Sequence, residues 1–481
     1  MQQPKSPPAL HILNPGDSPL FEAAGQSVRC ENGAVVEIGH ELAPQPGDRV
    51  IDAHHCALVP GLHDHHIHLF AAAAARASID CAGKTKATLI AALKDATPRA
   101  TATDGLRAVN YHESIAGPLD RTLLDQWIDH LPLRIQHSTG QMWFLNSRAI
   151  AELGFDTPRY KTHKGIERNP DGSATGRLFR ADDLLTANQQ RTAPSLAALS
   201  AELASFGITS VTDTSFNNSD HEFDLLASKQ NSGELLQHVR LMGNASLSSK
   251  AQDYIHTGEL KLLLDEAALP DIDALIDTVR QTHSRDRSIA IHCVTRIELA
   301  VALSVFTETG TRGDRIEHAS VLPANTLAQM RELGLTAVTQ PGFVYAKGDR
   351  YLNELSRSEI TELYRLKSLA DQNIPFALSS DAPYGPINPW LNMQSSVDRK
   401  SSSGNTLSGS EALTQEQALL AYCGLPHAPA TPRHINIGSV ADLASLNGPW
   451  KKVRENLAGT QASVTVRAGG LIHEGGGKTE G

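Results

Sequence analysis

His66 and His68 lie one residue apart in the run Val59-Pro-Gly-Leu-His-Asp-His-His-Ile-His-Leu69. Side chains of an extended segment alternate with period two, so both imidazoles point to one side and can grip a single metal ion. The apolar run from Ala57 to Leu62 reads as one buried strand leading in, which puts the pair at or just past its C-terminal end. In a parallel α/β barrel that is where active sites are assembled. A histidine pair alone is a weak signal, and four later residues give it weight. Lys261 lies in Gly258-Glu-Leu-Lys-Leu-Leu-Leu264, His292 ends Ile289-Ala-Ile-His292, His318 ends Asp314-Arg-Ile-Glu-His318, and Asp381 ends Phe376-Ala-Leu-Ser-Ser-Asp381. Each follows an apolar run and is expected to emerge at a strand end. Divalent metals such as zinc accept imidazole and carboxylate ligands. Three or four such groups hold one ion, and two ions require a bridging ligand. A lysine among leucines is costly to bury unless paired or modified. A carbamate made from its amine and CO2 would be an anionic, two-oxygen bridge.

The elements that must carry these residues follow from hydrophobic patterning. Beyond residue 200, strand-like runs (Thr209–Asp213, Val239–Gly243, Leu260–Leu264, Ser288–His292, Arg315–His318, Thr336–Thr339, Ile374–Leu378) are followed by helix-like ones (Asp273–Thr282, Arg296–Glu308, Asn325–Leu333, Arg357–Gln372). Strand-then-helix alternation implies parallel strands with crossover helices. With the strand before His66 the total is eight, the number that closes a (β/α)8 TIM barrel. About 130 residues (roughly 75–205) separate the first strand from the second, far more than a usual βα loop. They are expected to form an inserted subdomain over the barrel mouth. Residues 1–56 and 432–481 are rich in short strands punctuated by Gly and Pro. They are expected to pair into a small β-sandwich domain, leaving 57–431 as the barrel.

Composition excludes several classes. Lys+Arg 43 against Asp+Glu 53 gives a net charge of −10, which argues against nucleic acid or an anionic membrane surface as partner. No apolar run approaches the roughly 20 residues that span a bilayer. The stretch Met1-Gln-Gln-Pro-Lys-Ser-Pro-Pro8 lacks the charged-then-apolar pattern of a signal peptide. Cys30, Cys56, Cys81, Cys293 and Cys423 form no CxxC pair and read as buried free thiols of a cytoplasmic protein.

The order HxH, Lys, His, His, Asp on a barrel with a terminal β-domain resembles the amidohydrolase superfamily. Its family 3, the YtcJ-like branch, is similar in Pro60-Gly-Leu-His-Asp-His-His-Ile-His-Leu69, Arg315-Ile-Glu-His-Ala319, Ser380-Asp-Ala-Pro383 and Gly438-Ser-Val-Ala-Asp-Leu443. Gly207-Ile-Thr-Ser-Val-Thr-Asp213 and Asn146-Ser147 match as well, so the resemblance spans nearly the whole chain. It implies that His66 and His68, with Asp381 beside them, bind the more buried divalent metal ion, zinc by type, that His292 and His318 bind a second, and that Lys261, if carboxylated, bridges the two; an unmodified Lys261 in a one-metal site is the alternative. It implies a metal-bound hydroxide as nucleophile, with Asp381 as the catalytic proton acceptor that later serves the leaving amine. The implied reaction is hydrolysis of a C–N bond in a small amide, N-acyl amine, carbamate, urea or cyclic amide, by a homo-oligomer.

Three departures from the branch bear on the pocket. Gln141 stands where a histidine is usual, Arg296 follows His292-Cys-Val-Thr where an acid is usual, and Arg177 and Arg180 follow Thr175-Gly176 where an acid is usual. These arginines are expected to face an anionic substrate or to pair with acids such as Glu298. A deaminase or ester hydrolase on the same ligands, and a non-catalytic barrel scaffold, are the rival readings. The scaffold reading sits poorly with a complete ligand set.

Overall fold

Eight parallel strands follow one another around a single sheet in chain order. They are β1 (Leu62–Ile67), β2 (Ile208–Asp213), β3 (His238–Gly243), β4 (Ile255–Leu263), β5 (Ile289–Cys293), β6 (Arg315–His318), β7 (Thr336–Thr339) and β8 (Phe376–Leu378). This computed structural model describes residues 8–21, 26–40, 42–100, 105–181, 184–185 and 193–475. Most of the N-terminal stretch read for leader character lies outside them. No helix among the described residues is long and apolar enough to cross a membrane.

Strands such as β5 and β6 are buried almost throughout, as parallel strands covered on both faces must be. The crossover helices start where the side chains dictate. Thr295 and Glu298 form a reciprocal capping box that opens the helix Arg296–Thr309, and Gly310, at φ +70°, ends it. The expected helix Arg357–Gln372 is instead two short ones, Arg357–Ile360 and Leu366–Asp371. Between them Leu363 bridges to Val321, and the Tyr364 N–H donates to Ser320 O over 2.9 Å, which takes that backbone out of any helix.

The seam between β8 and β1 closes beyond the end of β8. The Asp381 N–H donates to His66 O over 2.8 Å, and the His68 N–H donates to Ala382 O over 3.0 Å. At the other end of the seam, Ala421 O accepts the Leu378 N–H and Tyr422 O accepts the His63 N–H.

Both chain ends contribute to a pair of four-stranded sheets. One runs Ala34–His40, Gln26–Glu31, Leu10–Leu13, Arg49–Asp52, and the other Gly470–Glu474, Ala462–Arg467, Leu443–Leu446, Leu58–Pro60. Leu10, Ile12, Val28, Val35, Leu443 and Val466 share one apolar core. The run Ala57–Leu62 is therefore not a single strand. Leu58–Pro60 pairs antiparallel with Leu443–Leu446, and the barrel begins only at Leu62. Gly61 is the joint, because a Cβ there would stand 2.3 Å from the Thr209 side chain.

Residues 70–195 are a separate compact unit. Its six-stranded sheet runs Ile166–Arg168, Ala174–Phe179, Met142–Leu145, Leu133–His137, Leu106–Tyr111, Ile79–Asp80. Trp143 and Leu145 belong to one apolar cluster and Phe144 to another, the alternation a strand imposes. The helix Ala197–Ser205, expected inside the insertion, belongs with the barrel unit, where Ala204 O accepts the Thr465 hydroxyl.

Gly61→Ala is expected to destabilise the fold by about 1–3 kcal/mol through overpacking against Thr209. A urea midpoint equal to that of the wild type would refute this account of the joint.

Candidate metal centre

His66 is the penultimate residue of β1, and His68 follows the strand directly. Their Nε2 atoms lie 3.5 and 3.2 Å from Oδ1 of Asp381. One ligand atom from each of the three residues falls within 4.8 Å of the other two. Each imidazole is held by its far nitrogen. Nδ1 of His66 bonds to the Glu317 carboxylate, and Nδ1 of His68 lies 3.0 Å from Ser215 Oγ. Such partners fix ring orientation and tautomer and leave Nε2 as the donor to a metal. Asp213 sets the loop that brings Ser215, accepting the N–H groups of Leu69 and Ser215 and the Asn218 amide at 2.8–3.0 Å. Asp64 ties the seam beneath the pair, accepting from the backbone of His66 and Ser380. Burial pushes its carboxyl up to about 6.

His318 and His292 continue the row. The His318 ring centre lies 4.6 Å from that of His66 and 4.5 Å from that of His292. Nδ1 of His318 is 2.9 Å from Gln340 Oε1, and Gln340 in turn donates to Ser379 Oγ over 3.0 Å. Burial is the main cause that lowers His66 and His318 well below the usual histidine range, toward the neutral form a metal requires. His63 and His65 face away, as alternation expects. His63 is clasped between Ser210 Oγ at 2.6 Å and Thr212 Oγ1 at 2.8 Å, and His65 packs on its ring.

Lys261 is buried on β4, with Nζ 3.9 Å from Glu317 Oε2 and without a hydrogen-bond acceptor. Burial lowers its ammonium to about 8, with the Glu317 charge acting against that shift. Glu317 itself would be raised by burial, yet Arg315 and Lys261 hold it below the ordinary carboxylate range. Arg315 is the centre of this network. Its Nε donates to Glu317 over 2.5 Å, its Nη2 donates to His65 O over 2.7 Å, and its Nη1 lies 3.9 Å from Glu259, which pairs with Arg240.

Of the six residues singled out as ligands, the structure gathers His66, His68 and Asp381 most tightly. It stacks His318 and His292 in line and sets Lys261 behind Glu317. The donor set suits a divalent cation, because Asp381 Oδ1 is buried without a hydrogen-bond donor and faces two imidazole nitrogens. Sequence reasoning missed Glu317, Gln340 and Ser215. Glu317 precedes His318, so regular alternation would turn one of them away from the centre. His318 at φ +68° and Ala319 at φ +44° break that alternation and bring both in.

The arginines flagged by their departure from family pattern have protein partners. Arg180 donates to Gln141 Oε1 over 3.1 Å, Arg177 to Leu119 O over 2.7 Å, and Arg296 to Glu362 over 2.7 Å. Glu298, one of the acids expected to pair with these arginines, instead caps the helix Arg296–Thr309.

A parallel eight-stranded barrel with this row of imidazoles and a carboxylate at its strand ends is the framework of a metal-dependent hydrolase. Residues 49–473 match the model of the amidohydrolase family, and the chain belongs to that family. It is thereby a hydrolase acting on carbon–nitrogen bonds. It is 23% identical to the N-substituted formamide deformylase of Arthrobacter pascens, over 87% of this chain and 88% of that one. It is 22% identical to the putative amidohydrolase YtcJ of Bacillus subtilis (strain 168), over 93% and 96% of the two chains. Among solved structures, an uncharacterized metal-dependent hydrolase from Pyrococcus horikoshii OT3 shares the fold with a TM-score of 0.71 at 20% identity, over 86% of this chain and 91% of that one.

Glu317→Gln keeps the shape and removes the charge that orients His66. Metal affinity, read by competition with a chromophoric chelator, is expected to fall about 10- to 100-fold. An unchanged affinity would show that Glu317 does not set the ligand.

Proposed function

We propose that the chain hydrolyses the C–N bond of a small N-acyl amine, with His66, His68 and Asp381 holding one zinc ion, His292 and His318 a second, and carboxylated Lys261 between them. The observation that carries the reading is the buried, undonated Asp381 Oδ1 facing the two Nε2 atoms. Zinc bound there would activate water and polarise the substrate carbonyl. Asp381 would take the proton of the attacking water and return it to the leaving amine. The products are a carboxylic acid and an amine.

Two features support the carbamate. Burial without an acceptor favours the neutral amine of Lys261, the form that adds CO2 with loss of a proton. Glu317, bonded to both His66 and Arg315, leaves the lysine no carboxylate of its own at hydrogen-bond distance. Apolar side chains are exposed at the strand ends, Leu263 on β4 and Phe216, Ile297 and Tyr345 after β2, β5 and β7. They favour a substrate with an apolar body. The deformylase relative acts on N-substituted formamides by name, which makes N-formyl derivatives of hydrophobic amines the first substrates to try.

Protein purified without chelator and supplied with bicarbonate is expected to carry close to two zinc ions per chain by elemental analysis, and Lys261→Ala at most one. One ion in both would exclude the bridge. Formate release from N-benzylformamide is expected to stop on chelation and to return with zinc. A zinc-loaded chain inert toward an amide panel would overturn the hydrolytic reading.

A further inference from the structure

The helix Gly342–Glu354 starts three residues after β7, so its first turns lie at the strand ends where the imidazoles converge. Phe343 and Lys347 are four residues apart and share one face of it. The Lys347 ammonium sits 4.0 Å from the centre of the Phe343 ring. The same ring abuts Gly385, since a Cβ built there would stand 3.3 Å from the Phe343 edge. Gly385 belongs to the turn closed by Asp381, whose carbonyl accepts the N–H groups of Tyr384 and Gly385. Tyr384 in turn meets the His68 ring edge to face, with centroids 5.6 Å apart. Lys347 thus stands on an aromatic floor continuous with the metal-ligand turn.

An ammonium has three donors and no acceptor, and an aromatic face satisfies it only through its quadrupole. No carboxylate of the described residues lies within ion-pair distance of Lys347, although the chain carries more acids than bases. Neighbouring acids are spoken for. Asp349 binds Ser401 and Asn405, and Glu354 pairs with Arg350. Burial lowers the Lys347 ammonium to about 8, while the charge of Asp381 acts in the opposite sense. A half-buried cation with no carboxylate at ion-pair distance, next to the candidate reaction centre, is suited to an anion brought by the ligand.

We propose that Lys347 is a specificity-determining residue that receives a carboxylate of the substrate, while the apolar part of the same molecule packs on Phe343 and Tyr384. The preferred substrate is then an N-acyl amine bearing an acid group near the scissile bond. This inference rests on the hydrolytic reading for its kinetics and on Lys347 alone for its binding.

The test pairs two amides that differ only in a carboxylate, N-formylphenylalanine and N-formylphenethylamine, and adds calorimetric binding of 3-phenylpropionate to the zinc-loaded protein. The wild type is expected to favour the acid at least tenfold in kcat/KM, mainly through KM. Lys347→Met is expected to bring that ratio toward one and weaken 3-phenylpropionate at least tenfold, and Lys347→Arg to restore part of both. Binding that depends on Lys347 without hydrolysis of either amide upholds the inference and defeats these amides as substrates. Hydrolysis with a ratio unaltered in Lys347→Met overturns the inference and leaves the hydrolase intact. Absence of 3-phenylpropionate binding, or equal binding by the wild type and Lys347→Met, also overturns it.

Discussion

The ionised Glu317 carboxylate, buried at the centre of the barrel, is the constraint on which the site depends. It binds Nδ1 of His66, accepts from Arg315 and faces Lys261. Alternating charges run from Arg240 through Glu259, Arg315 and Glu317 to Lys261. In a low-dielectric interior, breaking such a pair leaves an uncompensated charge and costs about 3–5 kcal/mol. The chain of charges therefore holds together as a unit. It ends with one more cation than anion, and the end lies at Lys261, whose amine has no acceptor. A neutral amine removes that excess, and it is the form that the carbamate proposed at this position requires.

Barrel closure and ligand placement are the same event. β8 is only three residues long, and the last hydrogen bonds of the seam are made by the backbones of His66, His68, Asp381 and Ala382. Asp381 adopts φ +54° just past that strand, which swings its carboxylate under the two imidazoles. Asp64 on one strand accepts the N–H of Ser380 beyond the other, so a buried acid that is no ligand in the proposed scheme locks the seam. The placement of the candidate ligands and the stability of the barrel are coupled through these few bonds.

Much of this was legible along the chain. The apolar runs ending in His292, His318 and Asp381 located three strand ends, because a strand buried on both faces reads as a continuous hydrophobic stretch. Two-residue spacing placed His66 opposite His63 and His65. Legibility failed where local pattern and tertiary contact disagree. The run Ala57–Leu62 is uniformly apolar, yet its first half pairs with Leu443–Leu446, hundreds of residues away, and nothing local marks Gly61 as the division. The helical pattern of Arg357–Gln372 yields to Tyr364, whose backbone is claimed by Ser320. Arg177, Arg180 and Arg296 stood out as departures from family pattern, and each proves to have a partner within the protein.

The sequence by itself determined the parallel barrel, the strand ends that carry the chemistry and the residue types able to bind a metal. Hydrophobic periodicity and the imidazole–carboxylate set are local properties that survive without coordinates. Only the tertiary structure decided which nitrogens of His66 and His68 turn to Asp381, that Glu317 and Gln340 fix His66 and His318, and that Lys347 stands on Phe343 beside the Asp381 turn. Those facts depend on left-handed backbone at His318 and Asp381 and on contacts between distant strands. A one-dimensional pattern carries no record of either.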